Sequence, residues 1–238
     1  MQNIWGIVVA VVVAAGVGAV VYKFVDTGPS RPSAPASTAQ TAPGAAAAQD
    51  AAMPRPDAQF GQVPLTDDDI PMGKADAAIT IVEYASLTCP HCATFDAEVM
   101  PRLKAEYIDT GKVRYVYRDF PLDRLALTAS VVARCAGRDR YFGFVEAFFA
   151  SQQTWARAQN PVEALGRIAR LGGMGDGEFD GCIKDQAALD KVLAQRLEAE
   201  KTYKIQSTPT LLIQGDRYSG ALRFEELKRL LDSMLPKT

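Results

Sequence analysis

The chain has 238 residues, 23% of them charged and 48% hydrophobic, which allows one globular domain with an insertion. Its 26 basic and 28 acidic residues leave a formal net charge of −2. With no basic excess, nucleic acid is excluded as an expected partner.

Residues 4–24 are almost wholly apolar, and about 20 such residues suffice to span a bilayer as a helix. A secretory signal has a shorter apolar core, about 7–15 residues, behind a basic region. Here no Lys or Arg precedes the run, and no clear small-x-small cleavage site follows it. Residues 1–25 are therefore expected to be an uncleaved transmembrane signal anchor, with a cleaved signal as the alternative. Lys23 and Arg31 follow the span, and the positive-inside rule weakly assigns that side to the cytoplasm. Residues 26–58 are rich in Ala, Pro, Ser, Thr and Gln. They offer too little apolar surface to offset the entropy of ordering, so a flexible tether is expected.

Residues 59–238 read as the folded domain. Ile79 to Ala85 is β-rich and nearly continuous in apolar character, as in a central strand buried on both faces. Pro90 suits the first turn of a helix, and Cys92, Phe95, Val99 and Leu103 recur at helical spacing. Pro101 predicts a kink in that helix. Residues 109–112 read as a turn and 113–117 as a second strand, with Val113, Tyr115 and Tyr117 on one face. Strand, helix, strand implies parallel pairing with a right-handed crossover. Helices are expected over residues 125–136, 141–150, 161–171 and 187–203, forming an insertion of about 122–203. Residues 211–214 and 217–219 then read as strands joined by a turn at 215–216, and 224–235 as a closing amphipathic helix. The fold class is thus α/β: βαβ, a helical insertion, then ββα.

The stretch that carries chemistry is Cys89-Pro90-His91-Cys92, at the junction of the first strand and its helix. Cysteines three apart on a helix share a face. A sulfur at the helix start meets unsatisfied backbone N–H groups and the positive end of the dipole, both of which favour thiolate. A reactive dithiol is the expectation. A zinc site needs further Cys or His ligands, and the one histidine of the chain lies inside the motif. Haem attachment needs a histidine after the second cysteine, and Ala93 stands there. No metal or other cofactor is expected. A merely structural disulfide is the remaining dull reading.

The other two cysteines are Cys135 and Cys182. Four cysteines allow three pairings, and the closeness of Cys89 to Cys92 favours Cys135 with Cys182. The alternative is two buried free thiols. Glu83 shares its strand face with Ile79, Ile81 and Ala85. If buried, its carboxyl has a raised pKa and can carry a proton to or from Cys92. His91, between two cysteines at a helix start, is expected to act electrostatically on the thiolate.

These residues together resemble the DsbA family of thioredoxin-fold thiol oxidases. The likeness rests on Cys89-Pro90-His91-Cys92, on Glu83 in the strand before it, on Ser207-Thr208-Pro209-Thr210 before the late strand, and on the helical insertion. It covers roughly residues 60–234. It implies a cis bond before Pro209, facing the dithiol, with Thr208 and Pro209 meeting an extended substrate by strand addition. The best-known member has valine at the position of Thr208. The resemblance implies a monomeric disulfide oxidase acting on reduced, unfolded secreted proteins and re-oxidised by a quinone-linked membrane partner. The location implied is the periplasmic side of the inner membrane, which overrides the weak charge rule. The alternatives are a soluble periplasmic form after signal cleavage, a disulfide isomerase or reductase, and a peptide-binding chaperone whose cysteines are incidental.

Overall fold

The computed structural model describes residues 53–236. The expected anchor, residues 1–25, and most of the expected tether, residues 26–58, lie outside them. Among the described residues no helix is long and apolar enough to cross a membrane.

The fold is organised about β3 (Ile79–Ala85). Ile79, Ile81 and Ala85 point into the main core, Val82 and Tyr84 into a second core behind the sheet. A strand buried on both faces needs the near-continuous apolar run found here. β4 (Val113–Asp119) lies parallel to it, Ile79 opposite Val113 and Ala85 opposite Asp119. Parallel neighbours need a crossover. It consists of α1 (Pro90–Glu98), α2 (Met100–Leu103) and a π-helical turn (Lys104–Ile108). The kink expected at Pro101 is a full break. α1 stops at Glu98, and Pro101 sits in the first turn of α2, where its missing N–H costs nothing.

On the other side of β3, β5 (Thr210–Ile213) pairs antiparallel, Glu83 opposite Leu211, and β6 (Asp216–Ser219) follows it. The turn between them is Gln214-Gly215, one residue earlier than expected. Both have positive φ, 52° and 89°, the two-residue hairpin geometry whose twist matches that of the strands. A Cβ on Gly215 would stand 1.7 Å from the Gly61 carbonyl oxygen, so only glycine fits. Two strands of two residues each, β1 (Ala58–Gln59) and β2 (Pro71–Met72), close the sheet edges in the order β1-β6-β5-β3-β4-β2. They are too short to carry a period-two signal. Asp57 donates its backbone N–H to Arg217, and Ala58 lies opposite Arg217. The last residues assigned to the tether thus belong to the sheet.

The insertion comprises α3 (Arg124–Cys135), α4 (Tyr141–Ala150), α5 (Gln152–Trp155), α6 (Pro161–Leu171), α7 (Asp176–Lys184) and α8 (Gln186–Tyr203). Four of these lie within a residue of expectation; α5 and α7 were not expected. α5 is a single turn, and Gly177 and Gly181 weaken the helical signal of α7. Cys135 at the end of α3 is joined to Cys182 of α7 by a disulfide, with Cα atoms 6.1 Å apart. Arg134 Nε lies 2.6 Å from the buried Asp119 carboxylate at the end of β4, tying α3 to the sheet. Ala199 and Tyr203 of α8 cover the second core, and α9 (Phe224–Met234) covers the main one with Phe224, Leu227, Leu230 and Leu231. The βαβ and ββα units around one sheet, interrupted by helices, are the thioredoxin fold.

Candidate active site

β3 ends at Ala85, and the next four residues turn the chain into α1. Cys89 N–H donates to Ser86 O at 3.0 Å. The turn is tied sideways to the start of the insertion: Leu122 N–H donates to Ser86 Oγ, and Thr88 Oγ1 donates to Asp123 at 2.6 Å. Cys89 is the N-cap of α1, with extended backbone, and Pro90 is its first helical residue. Pro90 and His91 are exposed, Cys89 is nearly buried, and Cys92 is fully buried. Both sulfurs are free thiols.

Sheet and helix bring distant groups to this pair. The peptide bond between Thr208 and Pro209 is cis, and the Thr208 carbonyl accepts from Cys89 Sγ at 3.3 Å. The Thr208 hydroxyl is buried, with no hydrogen-bond partner among the described residues. The Cys89 thiol is acidified to about 5. The Cys92 thiol donating to its sulfur contributes most; the Thr208 hydroxyl and the N–H groups of Cys92 and His91 add to this, against the opposing effect of burial. Cys92 is shifted the other way, far up, chiefly by burial and then by its donation to Cys89 and by the charges of Glu83 and Cys89. One environment thus makes two chemically opposite thiols.

Glu83 is 2% exposed on the main-core face of β3. Burial pushes its carboxyl up to about 8, with the charges of Asp96 and Cys89 adding to the shift. Tyr115, on β4, donates its phenol to Glu83 Oε2. Asp96 is four residues after Cys92 on α1, and burial and the charge of Glu146 raise it to about 7. Tyr115 and Asp96 were missed from the sequence. Asp96 could have been found by its helical spacing from Cys92; Tyr115 reads only as a core aromatic. A third residue missed is Gln152, which is 2% exposed and bonds the backbone around Cys89. Cys135 and Cys182 lie in the insertion, bonded to each other and apart from the dithiol.

A family model described as Thioredoxin matches residues 65–233. The chain belongs to the thioredoxin family. Within that family it is similar to the DsbA type. The crystal structure of Wolbachia pipientis alpha-DsbA1 superposes with a TM-score of 0.68 at 32% identity, covering 72% of this chain and 92% of that one. A Rickettsia bellii protein named as a protein-disulfide oxidoreductase is 34% identical over 152 residues, 63% of this chain and 59% of the relative. A protein-disulfide isomerase from Novosphingobium aromaticivorans is matched at 25% identity with a TM-score of 0.63, over 72% of this chain and all of the other. The chain spans about three fifths of the length of the first curated relatives it matches.

Proposed function

We propose that this protein is a thiol–disulfide oxidase that donates the Cys89–Cys92 disulfide to substrate proteins. The observation that carries the reading is the opposition of the two thiols, Cys89 acidic and 5% exposed, Cys92 fully buried and shifted far up. A substrate thiolate attacks the Cys89 sulfur, the bond to Cys92 breaks, and a mixed disulfide with Cys89 forms. Cys92 leaves as a thiolate in an apolar site and takes a proton, for which the protonated carboxyl of Glu83 is the candidate donor. A second substrate thiolate then attacks the mixed disulfide at the substrate sulfur. Cys89 is expelled as a stabilised thiolate, a good leaving group. The substrate dithiol is oxidised and the protein disulfide reduced, with two electrons transferred. Pro90 sets the helix start without competing for the sulfur, and His91 presents a backbone N–H to it and an exposed imidazole to the incoming chain. Thr208 and Pro209 offer backbone for an extended substrate to pair with.

The acidity of Cys89 favours oxidase over isomerase or reductase, because stabilising the reduced thiolate makes the disulfide the stronger oxidant. The substrates inferred are reduced, unfolded secreted proteins, with a quinone-linked membrane protein restoring the disulfide. Residues 4–24 would anchor the domain on the periplasmic side of the inner membrane; protection from external protease in spheroplasts would overturn that placement. The deciding experiment for the activity is the equilibrium of Cys89–Cys92 with glutathione. An oxidase reaches half-reduction only in strongly oxidising buffers. A couple that stays oxidised at the poise of a reducing cytosol would reverse the direction of electron flow.

A further inference from the structure

Helix α1 starts without a capping hydroxyl, carboxyl or amide: Cys89 stands at its N-cap, and Pro90 follows. The main chain around Cys89 is held from outside. Gln152 is the first residue of α5, and its amide nitrogen donates to the Leu87 carbonyl at 2.9 Å and the Cys89 carbonyl at 3.0 Å. These oxygens flank the bend that delivers the sulfur. The Cys89 carbonyl also takes the first helical bond, from Ala93 at 3.2 Å, so both of its lone pairs are engaged. The amide is itself fixed. Ser151 Oγ donates to Ala147 O, and the buried Trp155 donates its indole N–H to Phe148 O at 2.7 Å. The corner between α4 and α5 is thereby rigid.

We propose that Gln152 is a positioning residue for the dithiol, through which the helical insertion fixes the backbone of Cys89 and the direction of its sulfur toward Thr208 and Cys92. The inference rests on the thiol–disulfide reading above. In the disulfide form the bond to Cys92 holds the Cys89 sulfur. In the dithiol form that covalent restraint is gone, and the backbone, with the weaker contacts to Thr208 and Cys92, places the sulfur. The amide also directs its positive end at the turn carrying the thiolate. Gln152 therefore supports the reduced form more than the oxidised one, and so contributes to oxidising strength without touching a reacting atom.

The test uses the full chain with Gln152→Met, which keeps length and removes the donors, and Gln152→Glu, which sets a carboxylate against two carbonyls. The readouts are the ultraviolet thiolate absorbance of Cys89 against pH and the equilibrium with glutathione. Ionisation of Cys89 is expected to become about tenfold less favourable, one pH unit. The potential is expected to fall by about 30 mV, that tenfold change in a two-electron couple, with Glu the larger effect. Equal loss of thermal stability in both redox forms, with titration and potential unmoved, would mean a purely structural role and overturn the proposal. Should the variants not fold, the wild-type protein still decides. The Gln152 side-chain amide protons are expected to exchange more slowly in the dithiol than in the disulfide form, and equal rates in the two forms sink the idea. A wild-type protein lacking an acidic thiolate would instead sink the parent reading.

Discussion

The sulfur of Cys89 lies 3.3 Å from the carbonyl oxygen of Thr208, 119 residues further along the chain. This contact joins the two halves of the thioredoxin unit at the point where chemistry is expected. The loop before β5 supplies a carbonyl that accepts from the thiol, and the Thr208 side chain beside it favours the thiolate.

The two thiols should differ sharply toward an alkylating agent. In the reduced native protein, Cys89 is expected to react with iodoacetamide at a rate that rises with pH about a midpoint near 5. Cys92, buried and raised, is expected to stay unmodified until the protein unfolds. Peptide mapping after a short acid pulse checks this; equal labelling of both cysteines contradicts the asymmetry.

Lowering the Cys89 pKa from 9.0 to about 5 stabilises the reduced fold. The sign follows from proton binding: between those values the unfolded chain holds a proton that the folded chain does not, so stability rises with pH. The contribution is complete above the ordinary thiol pKa and is lost as pH falls through about 5. At pH 7 it amounts to roughly 3 kcal/mol. The reduced protein is therefore expected to outlast the oxidised one in urea at pH 7, with the gap closing toward pH 4. A gap that does not depend on pH would separate oxidising strength from thiolate acidity.

Glu83 acts in the opposite sense. Its pKa is raised from 4.5 to about 8, so the folded state holds the extra proton. Stability is full below about 4.5 and falls as pH rises through about 8. By pH 7 the loss is roughly 3 kcal/mol. In the disulfide form, where Cys89 does not titrate, Glu83→Gln is expected to flatten this decline and to raise stability at pH 8. If Glu83 supplies the proton to Cys92, the same variant slows disulfide exchange and changes its pH profile between 5 and 8. Stopped-flow fluorescence across that range measures both rate and profile, and an unchanged profile removes Glu83 from the mechanism.

The Cys135–Cys182 bridge closes a loop spanning a sequence separation of 47. Removing it as Cys135→Ala with Cys182→Ala is expected to cost about 4 kcal/mol in the chain-entropy view. The Cys89 titration should not move, because the bridge lies among α3, α7 and α8 and not beside the dithiol. A shifted Cys89 midpoint in this double variant would assign the second pair a part in the redox chemistry.

Much of the scaffold was readable in advance because it is local or periodic. The run Ile79–Ala85 announces a strand buried on both faces, and Pro90 announces the first turn of the helix that follows it, where α1 begins. α7 escaped because its glycines depress helical propensity, and β1 and β2 because two residues carry no period. Glu83 was legible as a candidate for a different reason. Its neighbours two residues away are apolar, so the strand has to carry it inward.

The sequence by itself determined that two cysteines three apart stand at a helix start, and that a carboxyl shares the face of three apolar residues on the strand before them. These are short-range facts, set by a rise per residue and a period. Only the tertiary structure decided which polar groups meet that dithiol, its backbone and Glu83. The Thr208 carbonyl, the Tyr115 phenol and the Gln152 amide come from three separate elements, each a single residue with no repeating signal. Their arrival depends on strand register and on how the insertion packs against the turn before α1. Cys89-Pro90-His91-Cys92 specifies a reactive pair, and the surrounding fold makes one thiol acidic and the other inert.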